Sequence, residues 1–277
     1  MPPVTSVYMF TDMEGVAGVD NWDPRHFDYA TQAKGVYERS EVQRLLTGEV
    51  NAACQGLFDA GVEEIVVNDA HGAGRTILVE DLLPGVKIVR GLNRPHWMVG
   101  LTRRCDALVQ VGMHAMSDTP NANLCHTMSK SIKAYRVNGR DVGEMELAAY
   151  LVGDLGIPWI FTSGDSHACR ESEAWVPGIV TAAVKEGLSE LSAIHLAPVD
   201  ARALIRERVQ EAVARSGEIA PLVAPAPVSL EIELREPGPA EAKGGGERIS
   251  PFAVRWTGPS LWEVFNRARG TMAPLPD

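Results

Sequence analysis

The segment GVEEIVVNDAH, residues 61–71, places an apolar run directly after a helical pattern and ends in polar residues. Apolar residues recur at helical spacing across about Ser40–Ala60, and Gly61 ends this predicted helix. Glu63–Val67 is the predicted strand that follows, and Ser6–Phe10 is a predicted buried strand before the helix. A strand–helix–strand unit favours parallel pairing and a right-handed crossover. We therefore predict the α/β class, with a mostly parallel sheet flanked by helices and a smaller C-terminal α+β region.

The remainder of the chain continues this alternation and then changes character. Asn138-Gly139 separates two short apolar runs and predicts a hairpin with a two-residue turn. After Pro198 the chain is more charged, and residues 221–227 are rich in proline. We predict a catalytic α/β metal-binding domain at residues 1–195 and a smaller α+β region at residues 196–277, which supports oligomerisation. The other predicted elements are strands at Val86–Val89, Ala107–Val111, Ile157–Thr162, Ile179–Val184, Leu230–Leu234 and Phe252–Trp256, and helices around Pro95–Leu101 and at Gly143–Leu155, Ala201–Ser216 and Ser260–Arg269.

Composition excludes some classes of partner. The chain has 277 residues, with 26 basic and 36 acidic side chains and a net charge of −10. We expect no nucleic acid and no anionic membrane as partner, because both are bound through basic surfaces. Four cysteines without a CxxC pair predict a reduced, cytoplasmic protein. The sequence shows no leader pattern and no apolar run that could span a bilayer, and we expect neither export nor membrane insertion.

Five residues of metal-binding type stand at the ends of predicted elements. Asp12 and Glu14 follow the first strand, His71 and His114 follow later strands, and Glu144 opens a helix after the hairpin. The carboxyl ends of strands in an open α/β sheet line the crevice where ligands bind, so we expect these side chains to meet. Imidazoles and carboxylates together suit a pair of divalent metals. The pattern predicts a metallohydrolase.

Taken singly, each of these residues has an ordinary interpretation. Asp12 can cap a turn while Glu14 is solvated, and His71 can be a surface loop histidine. His114 can be a buried histidine bonded to the backbone, and an acidic residue such as Glu144 is favoured by the dipole of a helix start. The joint placement of all five residues favours the metal centre. If His71 is a ligand, Asp69 is the candidate carboxylate that orients it.

His126 is a sixth candidate, in the long loop Ala115–Lys130 after the third site strand. Loops of this length in a compact domain are usually functional or disordered. A histidine that binds no metal could act there as acid and base or stabilise an oxyanion. Cys125 is adjacent, but neighbours on an extended segment point to opposite faces, so we predict a packed, inert thiol. The remaining histidines are predicted to be structural or on the surface: His26, His96, His167 and His195.

The residues in this order resemble the DppA-like zinc D-aminopeptidases. The resemblance runs over most of residues 5–187 and returns weakly at the C-terminal strand and helix. Several matched motifs in order are more specific than any one of them. The matching stretches are Asp12-Met13-Glu14-Gly15, Val67-Asn68-Asp69-Ala70-His71, Gly112-Met113-His114-Ala115, the loop of His126, Val142-Gly143-Glu144 and Thr181-Ala182-Ala183-Val184-Lys185.

This resemblance implies a function, a cofactor and an assembly. The function is removal of N-terminal amino acids, such as D-alanine, from short peptides, with His126 as the catalytic histidine. The assembly is a homo-oligomer, a decameric ring in that family. Zinc also suits the mixed ligand set, although cobalt, manganese or nickel could occupy it. The implied cofactor is two zinc ions per chain, held by Asp12, Glu14, His71, His114 and Glu144.

Two other functions remain as alternatives. A dinuclear metal-dependent phosphoesterase, or another amidohydrolase, uses similar ligands, but the first predicted strand opens into Asp12-Met13-Glu14 and not into the Asp-x-His with which such phosphoesterases begin. A non-catalytic phosphate-binding module could use Gly72–Arg75, which matches neither GxGxxG nor a Walker loop. That alternative leaves the placement of Asp12, Glu14, His114 and Glu144 unexplained.

Overall fold

The computed structural model describes residues 3–23, 32–72, 74–238 and 243–277. The described strands are β1 (Ser6–Thr11), β2 (Glu64–Asp69), β3 (Val86–Val89), β4 (Ala107–Met113), β5 (Ile132–Val137), β6 (Arg140–Val142), β7 (Trp159–Asp165), β8 (Val180–Ser189), β9 (Ser192–His195), β10 (Val228–Leu234), β11 (Glu247–Arg248) and β12 (Ala253–Gly258). The α-helices are α1 (Gln32–Asp59), α2 (Glu144–Gly153), α3 (Ser166–Trp175), α4 (Pro198–Arg215) and α5 (Leu261–Ala268).

The main sheet has seven strands in the order β3-β2-β1-β4-β7-β8-β9. All neighbouring pairs are parallel except β8 with β9. Every residue of β1, β4 and β7 is buried, as expected for a parallel sheet covered on both faces. Helices α1 and α4 pack against each other and the sheet, and α2 packs against α3, α5 and the sheet. The predicted fold class is confirmed.

The smaller sheet has five strands in the order β11-β12-β10-β5-β6, and its pairs are antiparallel. The predicted hairpin connects β5 and β6, with φ of 50° at Asn138 and 83° at Gly139, as a tight two-residue turn requires. This sheet takes β5 and β6 from residues 1–195 and its other strands from residues 196–277. The division at residue 195 stays a prediction, and the sheet combines strands from both sides of it.

Several predicted elements differ from the structure. Residues Pro95–Leu101 form turns and no helix, since Gly100 has a φ of 88° that ends any helical run. Helix α3 was not predicted: its buried residues recur at helical spacing, but Trp175 is the one large apolar side chain among Ala168, Cys169, Ser172 and Trp175. Strand β8 continues to Ser189 and turns back into the unpredicted β9, a pairing set by contacts between strands. Helix α1 also begins earlier, at Gln32.

The helices and the cysteines concern two predictions, the one about membrane insertion and the one about a reduced location. Within the described ranges, every helix is too short or too polar to cross a bilayer. Cys54, Cys105, Cys125 and Cys169 are all free thiols. The cytoplasmic location stays a prediction.

Candidate metal centre

The predicted site residues meet at the carboxyl ends of β1, β2 and β4. Asp12 and Glu14 lie in the loop after β1, His71 follows β2, and His114 follows β4 directly. Glu144 is the first residue of α2, which begins after the β5–β6 hairpin. Four of these five side chains line a cavity of about 490 Å³, and the fifth, His114, is buried beside it. The structure therefore brings the whole predicted set together.

The side chains form two adjoining groups that share one histidine. His114 Nε2 lies 3.2 Å from Asp12 Oδ2 and 3.5 Å from Glu144 Oε1. One group consists of Asp12, Glu14 and His114, and the other of His114, His126 and Glu144. Within each group, one possible ligand atom per residue lies within 4.8 Å of the others. His71 joins the first group, because its Nε2 is 3.0 Å from Glu14 Oε1.

Main-chain packing holds the first two carboxylates in place. The Asp12 amide donates to the carbonyl of Val111 at 2.9 Å, and the Gly15 amide donates to the carbonyl of Gly112 at 2.9 Å. A side chain at Gly15 would overlap the Met113 carbonyl oxygen, so only glycine permits this approach. The loop after β1 is thus pressed against the end of β4. Asp12 and Glu14 are fixed beside the histidine that follows β4.

Burial makes the carboxylates of this site electrostatically unfavourable without a cation. Asp12 and Glu14 are almost fully buried. Burial, and then the neighbouring Glu14, raise the pKa of Asp12 to about 7. Burial opposes ionisation of Glu14 too, but the adjacent His71 imidazole holds its pKa well below the usual value. Burial disfavours a charge on His71, yet Glu14 raises the His71 pKa to about 9. The raised pKa values mean that protons on Asp12 and His71 offset the negative charge of the site, and a bound metal ion would do the same.

The donor set fits zinc. His114 Nδ1 is 2.9 Å from the carbonyl of Ala115, which leaves Nε2 facing the carboxylates. His114 Nε2 and Glu14 Oε2 are buried and have no hydrogen bond of normal geometry. Buried polar atoms without partners are costly, and metal coordination would satisfy both. Imidazole nitrogens and carboxylate oxygens are the ligand types that zinc commonly takes.

The predicted orienter of His71 was wrong. Asp69 accepts hydrogen bonds from the Thr76 amide at 2.9 Å and the Ile77 amide at 3.2 Å, and it also contacts the Thr76 hydroxyl. It therefore shapes the loop after β2. The carboxylate beside the second ring nitrogen is Asp23, whose Oδ2 is 3.8 Å from His71 Nδ1. Asp23 also pairs with Arg39, and this contact across the fold has no signal in sequence spacing.

His126, a member of the second group, stacks on His114 with the two rings nearly parallel. The two ring centres are 4.1 Å apart and the planes differ by 11°. His126 Nδ1 is 2.9 Å from the carbonyl of Leu124, and Nε2 is 3.7 Å from Glu144 Oε1. Burial lowers the pKa of His126. Cys125 Sγ contacts the Thr119 carbonyl at 3.6 Å and is part-buried, and the inert thiol stays a prediction.

The other histidines have structural partners where they are described. His96 packs against Trp262, His167 Nδ1 is 3.0 Å from Asp165, and His195 Nδ1 accepts from the Gly18 amide at 3.0 Å. His26 lies outside the described residues.

One buried cation beneath the site was not singled out as a site residue. Lys185 Nζ donates to the carbonyls of Glu14 and Val19 and to Asn123 Oδ1, the last two at 2.7 and 2.6 Å. Burial lowers the pKa of Lys185 to about 8. Lys185 thus connects β8 to the loop of Asp12 and Glu14. Its position at the end of an apolar strand, on the same sheet edge as the ligands, was the available signal.

An α/β sheet with buried carboxylates and imidazoles at its carboxyl edge defines the class of metal-dependent hydrolases. A family model described as D-aminopeptidase matches residues 6–269. The D-aminopeptidase of Bacillus subtilis (strain 168) is 32% identical over 236 residues, which are 85% of this chain and 83% of that protein. The chain therefore belongs to the D-aminopeptidase family, whose members hydrolyse peptide bonds.

A solved structure agrees with this membership. It is the Zn-dependent D-aminopeptidase DppA from Bacillus subtilis, described as a self-compartmentalizing protease. Its TM-score to this chain is 0.84 at 28% identity, with 98% of this chain and 100% of that chain covered. The resemblance to DppA-like enzymes, the α/β fold and the assignment as a metallo-aminopeptidase are confirmed.

Proposed function

We propose that this protein removes N-terminal residues, D-amino acids among them, from short peptides at a centre for two zinc ions. The observation that carries the proposal is the pair of adjoining ligand groups that share His114. A single ion would leave one of the two groups without a cation, although each contains a carboxylate. The proposed ligands are Asp12, Glu14, His71, His114 and Glu144, and His126, the remaining member of the second group, is assigned to proton transfer.

The residues of the site have separate roles in hydrolysis. The chemistry that zinc supplies in such sites is Lewis acidity toward the carbonyl oxygen and a lowered pKa of water. His126 is the proposed acid and base. Its Nδ1 is held by the carbonyl of Leu124, so Nε2 is free to accept a proton from the attacking water. The same nitrogen then returns the proton to the leaving amine as the C–N bond breaks.

A carboxylate of the cavity accounts for a preference for a free amino terminus. Asp12, Glu14 and Glu144 are proposed zinc ligands, which leaves Asp23 as the lining carboxylate outside the ligand set. A protonated α-amino group is attracted to this carboxylate, whereas an acylated terminus loses that attraction. We therefore expect exopeptidase behaviour on short peptides.

We infer that the protein works as a homo-oligomer, because the DppA structure is described as self-compartmentalizing. A decameric ring, as the resemblance implies, is the form we propose. Strand β9 lies at one edge of the main sheet, and edge strands readily pair with another chain. Leu188, Ile194 and Leu196 are exposed there. Ile194 and Leu196 are two residues apart along an extended segment, so they share one face, and Leu188 lies close to them where the register of the β8–β9 pair shifts.

The test combines metal content with substrate hydrolysis. Purified protein should carry about two zinc ions per chain by mass spectrometry and cleave D-alanine p-nitroanilide. Removal of the metal by chelation should abolish cleavage, and zinc should restore it. L-alanine p-nitroanilide gives the stereochemical preference, and bis-p-nitrophenyl phosphate tests the phosphoesterase alternative. Cleavage that survives complete metal removal, or protein that binds no metal after reconstitution, would contradict the proposal.

A further inference from the structure

We propose that Lys130 is a specificity-determining residue that binds the C-terminal carboxylate of a dipeptide or tripeptide substrate. The inference rests on the proposed function and deepens it. It identifies the preferred substrates as short peptides with a free carboxyl terminus, and it explains why the length of the peptide matters.

Charge is distributed unevenly in the cavity. Four carboxylates surround the proposed metal centre, and Lys130 is the sole lysine or arginine among the described residues that line it. A volume of about 490 Å³ lies within the range of small-molecule sites. A short peptide is a zwitterion with an ammonium group at one end and a carboxylate at the other. Its carboxylate matches Lys130, the basic point of the rim, and its ammonium group matches Asp23, the lining carboxylate outside the proposed ligand set.

Trp22 contacts both His126 and Lys130, and these two contacts limit the distance from the reaction centre to Lys130. The Trp22 ring is 5.3 Å from the His126 ring in an edge-to-face arrangement. Lys130 Nζ is 4.3 Å from the centre of the same Trp22 ring, which is a cation–π contact. The sum of these two distances is the largest separation that His126 and Lys130 can have, and it is shorter than three extended residues at ~3.5 Å each. If the scissile bond lies at His126, a carboxylate one or two residues beyond it reaches Lys130.

The present partner of Lys130 is easily displaced. Its ammonium is 3.0 Å from Glu190 Oε1, and the two side chains are 62% and 56% exposed. An exposed ion pair of this kind contributes little to stability. The carbonyl of Lys130 accepts from Arg235 Nε at 3.2 Å, which fixes the backbone at the rim. A substrate carboxylate can therefore replace Glu190 without disturbing the loop.

The test compares a free dipeptide with its C-terminal amide. Wild-type protein should cleave D-Ala-D-Ala with a higher kcat/KM than D-Ala-D-Ala-amide. Lys130→Met should lower that ratio about tenfold, mainly through KM, because a uniform binding contact is lost. Lys133→Met is the matched control, since Lys133 is exposed and pairs with Glu233 away from the cavity. The control should keep the wild-type ratio.

A second variant tests the competing carboxylate. Glu190→Gln should lower the KM for the free dipeptide and leave the KM for the amide near its wild-type value. Equal losses on acid and amide in Lys130→Met would overturn the inference, because they would show only a supporting role for Trp22. A wild-type protein that cleaves p-nitroanilides but treats acid and amide alike would also overturn it. In that case the proposed function would stand, whereas failure to cleave any substrate would contradict both.

Discussion

Each imidazole of the site is held by a different neighbour, and this separates their roles. His71 is held between Glu14 and Asp23, and His114 is held by the Ala115 carbonyl with its other nitrogen toward Asp12 and Glu144. His126 is anchored by a carbonyl of its own loop and faces the open cavity. The first two rings suit ligands and the third suits proton transfer.

His126→Ala should retain zinc and lose most turnover. General acid–base groups typically contribute ~10²–10⁴ in rate, and we expect a fall in kcat of that size. Metal content by mass spectrometry and kcat on D-alanine p-nitroanilide provide the two readouts. Cys125→Ala, the neighbouring change in the same loop, should keep both. Turnover near the wild-type level in His126→Ala would remove this histidine from the mechanism.

Glu144→Ala should lower zinc content and activity together, because it removes the proposed carboxylate ligand of the second group. We expect metal affinity to fall by at least ~10–100-fold, the range known for weaker perturbations outside the ligand set. Asp141→Asn, a change at an exposed carboxylate in the preceding hairpin, is the control. Titration with a competing zinc chelator measures the affinity. Unchanged zinc affinity would make Glu144 only a helix-start residue.

Helix α1 carries a buried acid beneath the metal loop. Glu49 Oε1 accepts a hydrogen bond from the Ala17 amide at 2.8 Å, and burial raises the pKa of Glu49 to about 8. The folded protein thus keeps a proton that the unfolded chain releases above its ordinary pKa of 4.5. Stability through this group is present at low pH and is lost as the pH rises toward 8.

Glu49→Gln should therefore flatten the pH dependence of folding. The free energy of unfolding of wild-type protein should fall by a few kcal/mol more than that of the variant between about pH 5 and pH 9. Chemical denaturation at several pH values measures the difference. Glu63→Gln, at an exposed position, should follow the wild-type profile. Parallel profiles for wild type and Glu49→Gln would contradict the assigned protonation.

The contact between the β1 loop and the end of β4 leaves no room for a side chain at Gly15. Gly15→Ala should disrupt the metal loop, since the added carbon overlaps the Met113 carbonyl. We expect destabilisation of ~1–3 kcal/mol from overpacking and main-chain shift, together with loss of zinc. Gly217→Ala is the control, because the structure leaves open space there. Thermal unfolding with metal analysis checks both variants, and a Gly15→Ala protein with wild-type zinc content would refute this packing argument.

Local pattern predicted those elements whose side chains are buried on regular faces. Strands β1 and β4 are mostly apolar and fully buried, and the polar residues after them mark the sheet edge where the site lies. The orienter Asp23 and the hydrogen-bond partners of the buried Lys185 depend on contacts between distant segments, and sequence spacing carries no record of such contacts. Strand β9 instead pairs locally with β8 in a short hairpin that the sequence pattern did not reveal. Asp69 misled for a different reason: it is close to His71 in the sequence, but its carboxylate accepts hydrogen bonds from Thr76 and Ile77 in the loop after β2.

At the scale of the whole molecule, the exposed face of the β8–β9 hairpin is the expected contact between subunits. Ile194→Asp should place a charge in that contact and yield a smaller species in analytical ultracentrifugation, with zinc content unchanged. Ile194 is 59% exposed, so the change costs the isolated chain little. Met272→Asp, at an 86% exposed position near the C-terminus, should leave the assembly as it is. An unaltered assembly in Ile194→Asp would place the contact elsewhere.

Gly15, in the loop after β1, and Gly164, in β7, approach the Met113 carbonyl from the two sides of β4 so closely that neither position tolerates a side chain. Main-chain contacts therefore set the spacing of the segments that carry the proposed ligands. The rim of the cavity, in contrast, is made of side chains such as Trp22, Ser129 and Lys130. Protein engineers can use this separation. A library of variants at those three rim positions would change which peptides the enzyme accepts and leave the metal ligands unchanged.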